Sequence, residues 1–138
     1  MNWQTGARFT TVHNYIDLET MILRKDAISA RANEMVLIPL NMRDGSLLCV
    51  GKGNSNWNFS APHGAGRIMS RNEAKRVLSL RDFRESMDGI YSTSIRKDTL
   101  DEAPMAYKSL ESLQEYLDQT VEILHHLAPL YNFKASGD

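Results

Sequence analysis

Four histidines and one cysteine carry most of the reactive capacity of this 138-residue chain: His13, His63, His125, His126 and Cys49. His63 stands apart because Pro62 precedes it and Gly64, Ala65 and Gly66 follow it. Small residues on one side let a bulky phosphate ester approach the ring and let backbone N–H groups point at it. A turn in which the histidine merely caps a loop accounts for the same spacing equally well. His13 lies in Thr11-Val12-His13-Asn14-Tyr15-Ile16, where the Asn14 amide can bond a nucleotide or orient the imidazole. His125 and His126 read as imidazoles near the end of a helix, where they complement its dipole. Cys49, between Leu48 and Val50, reads as a small buried hydrophobe rather than a nucleophile. One histidine makes no metal site, because zinc or manganese takes three or more ligands, and the chain has no Cys-x-x-Cys and no His-x-x-x-His. Gly51-Lys52-Gly53 hints at a phosphate cradle but lacks the full Walker spacing.

Two basic elements bear on an anionic ligand. Arg67, Arg71, Lys75 and Arg76 cluster beside His63, either as a patch for a polyanion or as a solvated helix face interspersed with Glu73 and Asp82. Lys134 sits in Tyr131-Asn132-Phe133-Lys134, and a frayed tail rarely spends two aromatics, so this end is expected to dock back on the domain.

The elements that must position these groups read as one α+β unit. Apolar runs at Met35–Leu40 and Ser46–Val50, joined by a turn ending in Asp44-Gly45, predict a β-hairpin. Gly51 to Gly66 abandons periodicity and reads as a loop. Ser70-x-x-Glu73 has capping-box spacing and predicts a helix from about Glu73 to Met87, stopped at Gly89. Ile90–Ile95 is short and β-prone, and Thr99-x-x-Glu102 repeats the cap signal. Leu110, Leu113, Leu117, Val121, Leu124 and Leu127 recur at helical spacing and predict a second main helix, ended by Pro129.

Composition bounds the setting. The length suits one domain spanning residues 1–138, and 16 basic against 17 acidic residues leave a charge of -1, so bulk attraction to nucleic acid is not the design. A lone cysteine builds no intrachain disulfide, and neither a leader nor a bilayer-length apolar run is present, so a cytoplasmic, membrane-free location is expected.

Several segments together resemble one family: Val12-His13-Asn14-Tyr15, Gly51-Lys52-Gly53-Asn54, Ser60-Ala61-Pro62-His63-Gly64-Ala65-Gly66-Arg67, Asp101-Glu102-Ala103-Pro104, Ala106-Tyr107-Lys108 and the ending from Tyr131 to Ser136. In family order from about Val12 to Ser136, they resemble the C-terminal part of RtcB-type RNA-splicing ligases of the bacterial branch. The Ala-Pro-His-Gly-Ala-Gly-Arg motif carries most of the likeness.

The resemblance implies a fragment of a larger fold that joins an RNA 3′-phosphate, or 2′,3′-cyclic phosphate, to a 5′-hydroxyl, using GTP and manganese through a histidine-guanylate. It implies His63 as the nucleophile, His13 as a manganese ligand, and Asn14, Gly64, Ala65 and Gly66 beside the nucleotide. Pro39, Leu40, Asn41, Met42 and Ser46 match the segment around the guanine, with Leu40 and Asn41 in place of commoner small residues. Tyr107 would stack on the base and Lys134 would contact the guanylate. The family's remaining metal ligands, an aspartate, a cysteine and further histidines, belong to an N-terminal part not matched here, and Cys49 does not correspond to that cysteine. RNA ends, as tRNA halves or broken RNA, are the implied partners, together with an N-terminal partner chain or a second copy. The competing expectation is a non-catalytic nucleotide- or RNA-binding remnant or split subunit.

Overall fold

The computed structural model describes residues 9–134, an α+β domain built on two three-stranded antiparallel sheets. The predicted hairpin forms from β3 (Met35–Asn41) and β4 (Gly45–Gly51). Gly45 turns the chain at φ 75°, and a Cβ there would fall on the Leu127 carbonyl, so glycine is required. Val36, Ile38 and Leu40 alternate inward opposite Leu47 and Cys49, the period-2 pattern of a half-buried strand pair. Burial pushes the Cys49 thiol up to about 11, which suits the packing role read from its neighbours.

The second sheet was not foreseen. It orders β1 (His13–Asp17), β2 (Ile22–Ser29) and β5 (Ser60–Pro62), so the glycine-rich stretch contributes a short strand that ends one residue before His63. The β1–β2 register shifts between His13 and Tyr15, with Asn14 at φ 57° and Asp26 at φ 53°. This bulge re-aims His13, as bulges beside functional sites commonly do. Arg24 of β2 is 2% exposed and binds Ser60 Oγ at 2.9 Å, the Tyr15 hydroxyl at 3.1 Å and Asp17 Oδ2 at 3.4 Å. One buried guanidinium thus ties β1 and β2 to β5. Gly51-Lys52-Gly53 serves packing rather than phosphate: a Cβ on Gly51 would strike the Ala30 and Arg31 backbone, and Lys52 Nζ donates to the Asp118 carbonyl.

The two main helices expected are replaced by three helices of seven residues each: α1 (Arg71–Val77), α2 (Leu80–Ser86) and α3 (Gln114–Thr120). Ser70 caps α1 through Glu73 N–H, as its spacing predicts, but Leu78 is extended and Ser79 caps a new helix through Asp82 N–H. A second cap therefore divides the predicted 73–87 helix. The 110–127 helix is likewise cut. Thr120 Oγ1 bonds back to the Tyr116 carbonyl, and from Val121 the chain is extended as β7 (Val121–Leu127), paired with β4. The Leu113, Leu117 and Val121 spacing is helical only as far as the strand begins, where β-branched Val121 and Ile123 meet the open edge of β4. His125 and His126 therefore lie on an edge strand, with His126 Nε2 donating to the Asp44 carbonyl at 2.5 Å.

In the β-prone 90–95 stretch only β6 (Tyr91–Ser92) forms, parallel to β8 (Tyr131–Asn132). The tail docks, as expected, through backbone pairing and the Asn132 amide on the Met42 carbonyl, while Tyr131 and Phe133 remain exposed. The last two residues of the resembling segment, Ala135 and Ser136, lie outside the described residues. Thr99 is not the N-cap residue: it is buried inside the 3-10 turn Lys97–Glu102, where its hydroxyl accepts from Arg96 N–H at 3.2 Å and donates to the Ser94 carbonyl. The main core lies between the two sheets and α3, and a second cluster around Phe83, Met87 and Leu100 sits beneath α2. No helix among the described residues is long and apolar enough to cross a membrane.

Candidate nucleotide site

A cavity of about 870 Å³ opens where the β3–β4 hairpin, the loop after β5, the 3-10 turn at Glu102 and the C-terminal tail converge. The Asp44-Gly45 turn carries Pro39, Leu40, Asn41 and Met42 to one wall, with Ser46 returning on β4. His63, Gly64, Ala65 and Gly66 form a second wall as the chain leaves β5. Ala65 N–H donates to the Pro39 carbonyl at 3.2 Å, which joins the two walls. Tyr107 and Lys134 close the far side. Residues separated by almost a hundred positions thus share one concave surface of the size small-molecule ligands occupy.

His13 and Asn14 do not line this cavity, and both are exposed. The His13 and His63 rings are stacked, 4.3 Å between centroids and 18° from parallel. Asn14 Oδ1 accepts from Asp26 N–H at 2.7 Å, so its amide is engaged with backbone rather than aimed at the cavity. Asp26, which sequence reasoning missed, lines the cavity and its carbonyl accepts from His63 N–H at 3.4 Å. The Lys25 ammonium at 2.8 Å outweighs desolvation and holds the Asp26 carboxyl below its usual value, with charge on His63 and His13 acting in the same direction.

The opposite wall is organised around Glu102. Arg71 Nη1 reaches Glu102 Oε1 at 2.6 Å, Lys134 Nζ reaches Oε2 at 3.2 Å, and the Tyr107 hydroxyl donates to Oε2 at 2.9 Å. Desolvation raises the Glu102 carboxyl, but the Arg71 bond, the Lys134 charge and the Tyr107 hydroxyl together bring it below its usual value. Burial, with Glu102 adding its negative charge and hydrogen bond, pushes the Tyr107 hydroxyl up to about 12, so it remains a neutral donor near pH 7. The Arg67 guanidinium lies over the Tyr107 ring at 4.9 Å and donates to the Asp101 carbonyl. The basic cluster at 67–76 is therefore largely a neutralised network: Arg71 and Lys75 both reach Asp101, at 2.5 and 3.5 Å. Three cations, Arg67, Arg71 and Lys134, still border the cavity against two carboxylates, Asp26 and Glu102, so the rim favours an anion modestly.

Glu102, Asp26 and the Leu127–Asn132 part of the wall were not assigned to the site from sequence. Glu102 was visible only as part of a helix-cap signal and as a motif neighbour of Pro104, and the β7–β8 contribution requires the register of β7 on β4, which no local signal encodes.

The family model described as tRNA-splicing ligase RtcB matches residues 2–135. The chain is 36% identical over 123 residues to the RNA-splicing ligase RtcB of Escherichia coli strain K12, an alignment covering 83% of this chain and 29% of that protein. It is 40% identical over 85 residues to the tRNA-splicing ligase RtcB of Aeropyrum pernix, covering 58% of this chain and 18% of the relative. Against the RNA-splicing ligase RtcB of Mycobacterium tuberculosis the identity is 33% over 94 residues, covering 66% and 22%. The chain spans less than a third of the length of the curated relatives it matches. With nearly its whole length matched by the family model, this chain belongs to the RtcB family.

Proposed function

We propose that the chain forms the nucleotide-binding, nucleophile-bearing portion of an RNA ligase that joins a 3′-phosphate or 2′,3′-cyclic phosphate to a 5′-hydroxyl with GTP and manganese. The observation that carries this reading is the position of His63, on the wall of a cavity shared with Tyr107 and Lys134 and stacked against the His13 ring. A cavity of about 870 Å³ has room for a nucleoside triphosphate.

The chain's own residues then have definite tasks. A neutral His63 ring nitrogen attacks the α-phosphorus of GTP, forming a P–N bond as the bridging P–O bond breaks and pyrophosphate leaves. Stacking by His13 fixes the plane from which that nitrogen approaches, and a fixed approach is worth orders of magnitude in rate. Lys134 and Arg71 offer charge to the phosphates, in exchange for their present bonds to Glu102. Tyr107 offers a ring to the guanine, which stacking holds with little demand on hydrogen-bond geometry.

Manganese is a different matter. Among the described residues no three His, Cys, Asp or Glu side chains are grouped to hold a metal, and His13 is one imidazole. When bound in a completed site, manganese would polarise the phosphate and neutralise its charge. The remaining ligands would come from an N-terminal partner. A cytoplasmic, reducing setting suits the lone buried thiol of Cys49.

The test is a ligation assay with RNA ends bearing a 2′,3′-cyclic phosphate and a 5′-hydroxyl, with GTP and manganese, and the N-terminal portion of a family member added in trans. Joined product that requires both chains supports the reading. GTP binding without product in any combination would favour the non-catalytic remnant instead.

A further inference from the structure

Beside the cavity, Tyr91 and Tyr131 form an exposed aromatic pair that the reading above leaves without a task. Their rings stack with centroids 5.6 Å apart and 29° between planes, at 67% and 50% exposure. Such exposure is costly for aromatic surface unless it meets a ligand. The pair is also rigidly built. Tyr91 and Tyr131 face each other in the β6–β8 register, Ser92 Oγ donates to the Asn132 carbonyl, and Thr93 Oγ1 bonds the Tyr131 hydroxyl at 2.9 Å. Ser94 Oγ then holds the Lys134 N–H at 2.8 Å, so the rings and the Lys134 backbone are fixed by one short strand pair.

We infer that Tyr91 and Tyr131 form a stacking platform for an unpaired base of a single-stranded RNA whose end reaches the His63 cavity. This inference rests on the RNA-joining reading. Continuity with the cavity is the deciding observation: Tyr131, Asn132 and Lys134 all line it, so a strand with its terminal phosphate inside passes over the platform. Single-stranded RNA is held by aromatic faces that accept any base, with cations beside them for the backbone, and Lys134 and Arg71 border the same cavity. Phe133, exposed at 69%, adds apolar surface next to the pair.

The test uses the full chain and a short, fluorescently labelled single-stranded RNA ending in a 3′-phosphate, followed by anisotropy. Tyr91→Ala is expected to weaken binding about 5-fold or more with an unchanged melting temperature, and Tyr91→Phe to retain wild-type affinity. Removing the bases nearest the 3′ end should abolish the difference between wild type and Tyr91→Ala. Equal affinity of wild type and Tyr91→Ala overturns the platform and leaves the RNA-joining reading standing. No RNA binding by the wild-type chain, alone or with the N-terminal portion of a family member added, overturns both. Should Tyr91→Ala fail to fold, 4-thiouridine crosslinking to the wild-type chain decides: adducts on Tyr91 or Tyr131 support the platform, and adducts confined to other surfaces overturn it. A Tyr91→Ala protein whose self-association changes while its RNA affinity does not would assign the rings to protein contact and likewise overturn it.

Discussion

His13 and His63, fifty positions apart, stack their imidazoles 4.3 Å from each other because a bulge at Asn14 turns one strand toward the loop that follows another. The arrangement leaves His63 on the cavity wall with one ring face against the exposed His13 ring. His13→Phe should preserve the ring contact and the shielded His63 proton resonances, whereas His13→Ala should lose both. Both variants are expected to lower manganese-dependent guanylation by about 10-fold or more, since each removes an imidazole nitrogen. Full activity of His13→Ala in the completed assembly would remove His13 from the metal set.

Glu102 gives the site a pH signature. Its carboxyl titrates below its usual 4.5 in the folded chain, because the bonds from Arg71, Lys134 and Tyr107 outweigh desolvation. A group depressed on folding adds stability above its unfolded pKa and loses it as pH falls through the folded value. The melting temperature should therefore decline as pH drops below about 4.5. Glu102→Gln should flatten that decline in part, with the other depressed carboxyls, Asp17, Asp26, Asp44, Asp98, Asp101 and Glu111, supplying the remainder. Identical pH profiles for wild type and Glu102→Gln would show that Glu102 is not held by its three partners in solution.

Arg24 is the polar centre of the β1–β2–β5 sheet. Arg24→Leu fits the space but leaves the Tyr15 and Ser60 hydroxyls and Asp17 without their shared donor. The melting temperature should fall by roughly 5–10 °C in calorimetry. The His13–His63 contact should loosen with it, because the same strands carry both. A variant as stable as wild type would mean that solvent replaces the guanidinium at no cost.

The hairpin was legible because its signals are local: an Asp44-Gly45 turn and inward alternation of Val36, Ile38 and Leu40. The β1–β2 pair was not, since its pattern is inverted. Arg24 is buried while Ile16 and Leu23, directly opposite each other, face out. Leu124 and Leu127 continued a helical spacing into what becomes β7, where an unpaired β4 edge overrides periodicity. Of the residues bordering the cavity, His63 with Gly64, Ala65 and Gly66 and the basic Arg67 and Arg71 were legible from residue type and spacing, while Pro39 to Met42, Ser46 and Tyr107 were legible only through family resemblance; their assembly depends on contacts such as Lys134 with Glu102 that no window along the chain contains.

The outward apolar face of β1 and β2 predicts association. Ile16 and Leu23 on the strands and Leu18 and Met21 in the turn between them are all more than half exposed, a patch that isolated soluble chains rarely leave open. Sedimentation velocity should show concentration-dependent self-association, which the added N-terminal portion of a family member should suppress. Leu23→Lys should shift the chain toward monomer. A strictly monomeric wild-type chain at high concentration would contradict the expectation.

The role of His63 as nucleophile is tested by incubating α-phosphate-labelled GTP with the chain, manganese and the N-terminal portion of a family member, followed by mass spectrometry of the labelled peptide. An acid-labile, base-stable GMP adduct on His63 is expected, absent from His63→Ala and retained in His125→Ala. Label that persists in His63→Ala, or none at all in the completed assembly, would contradict it.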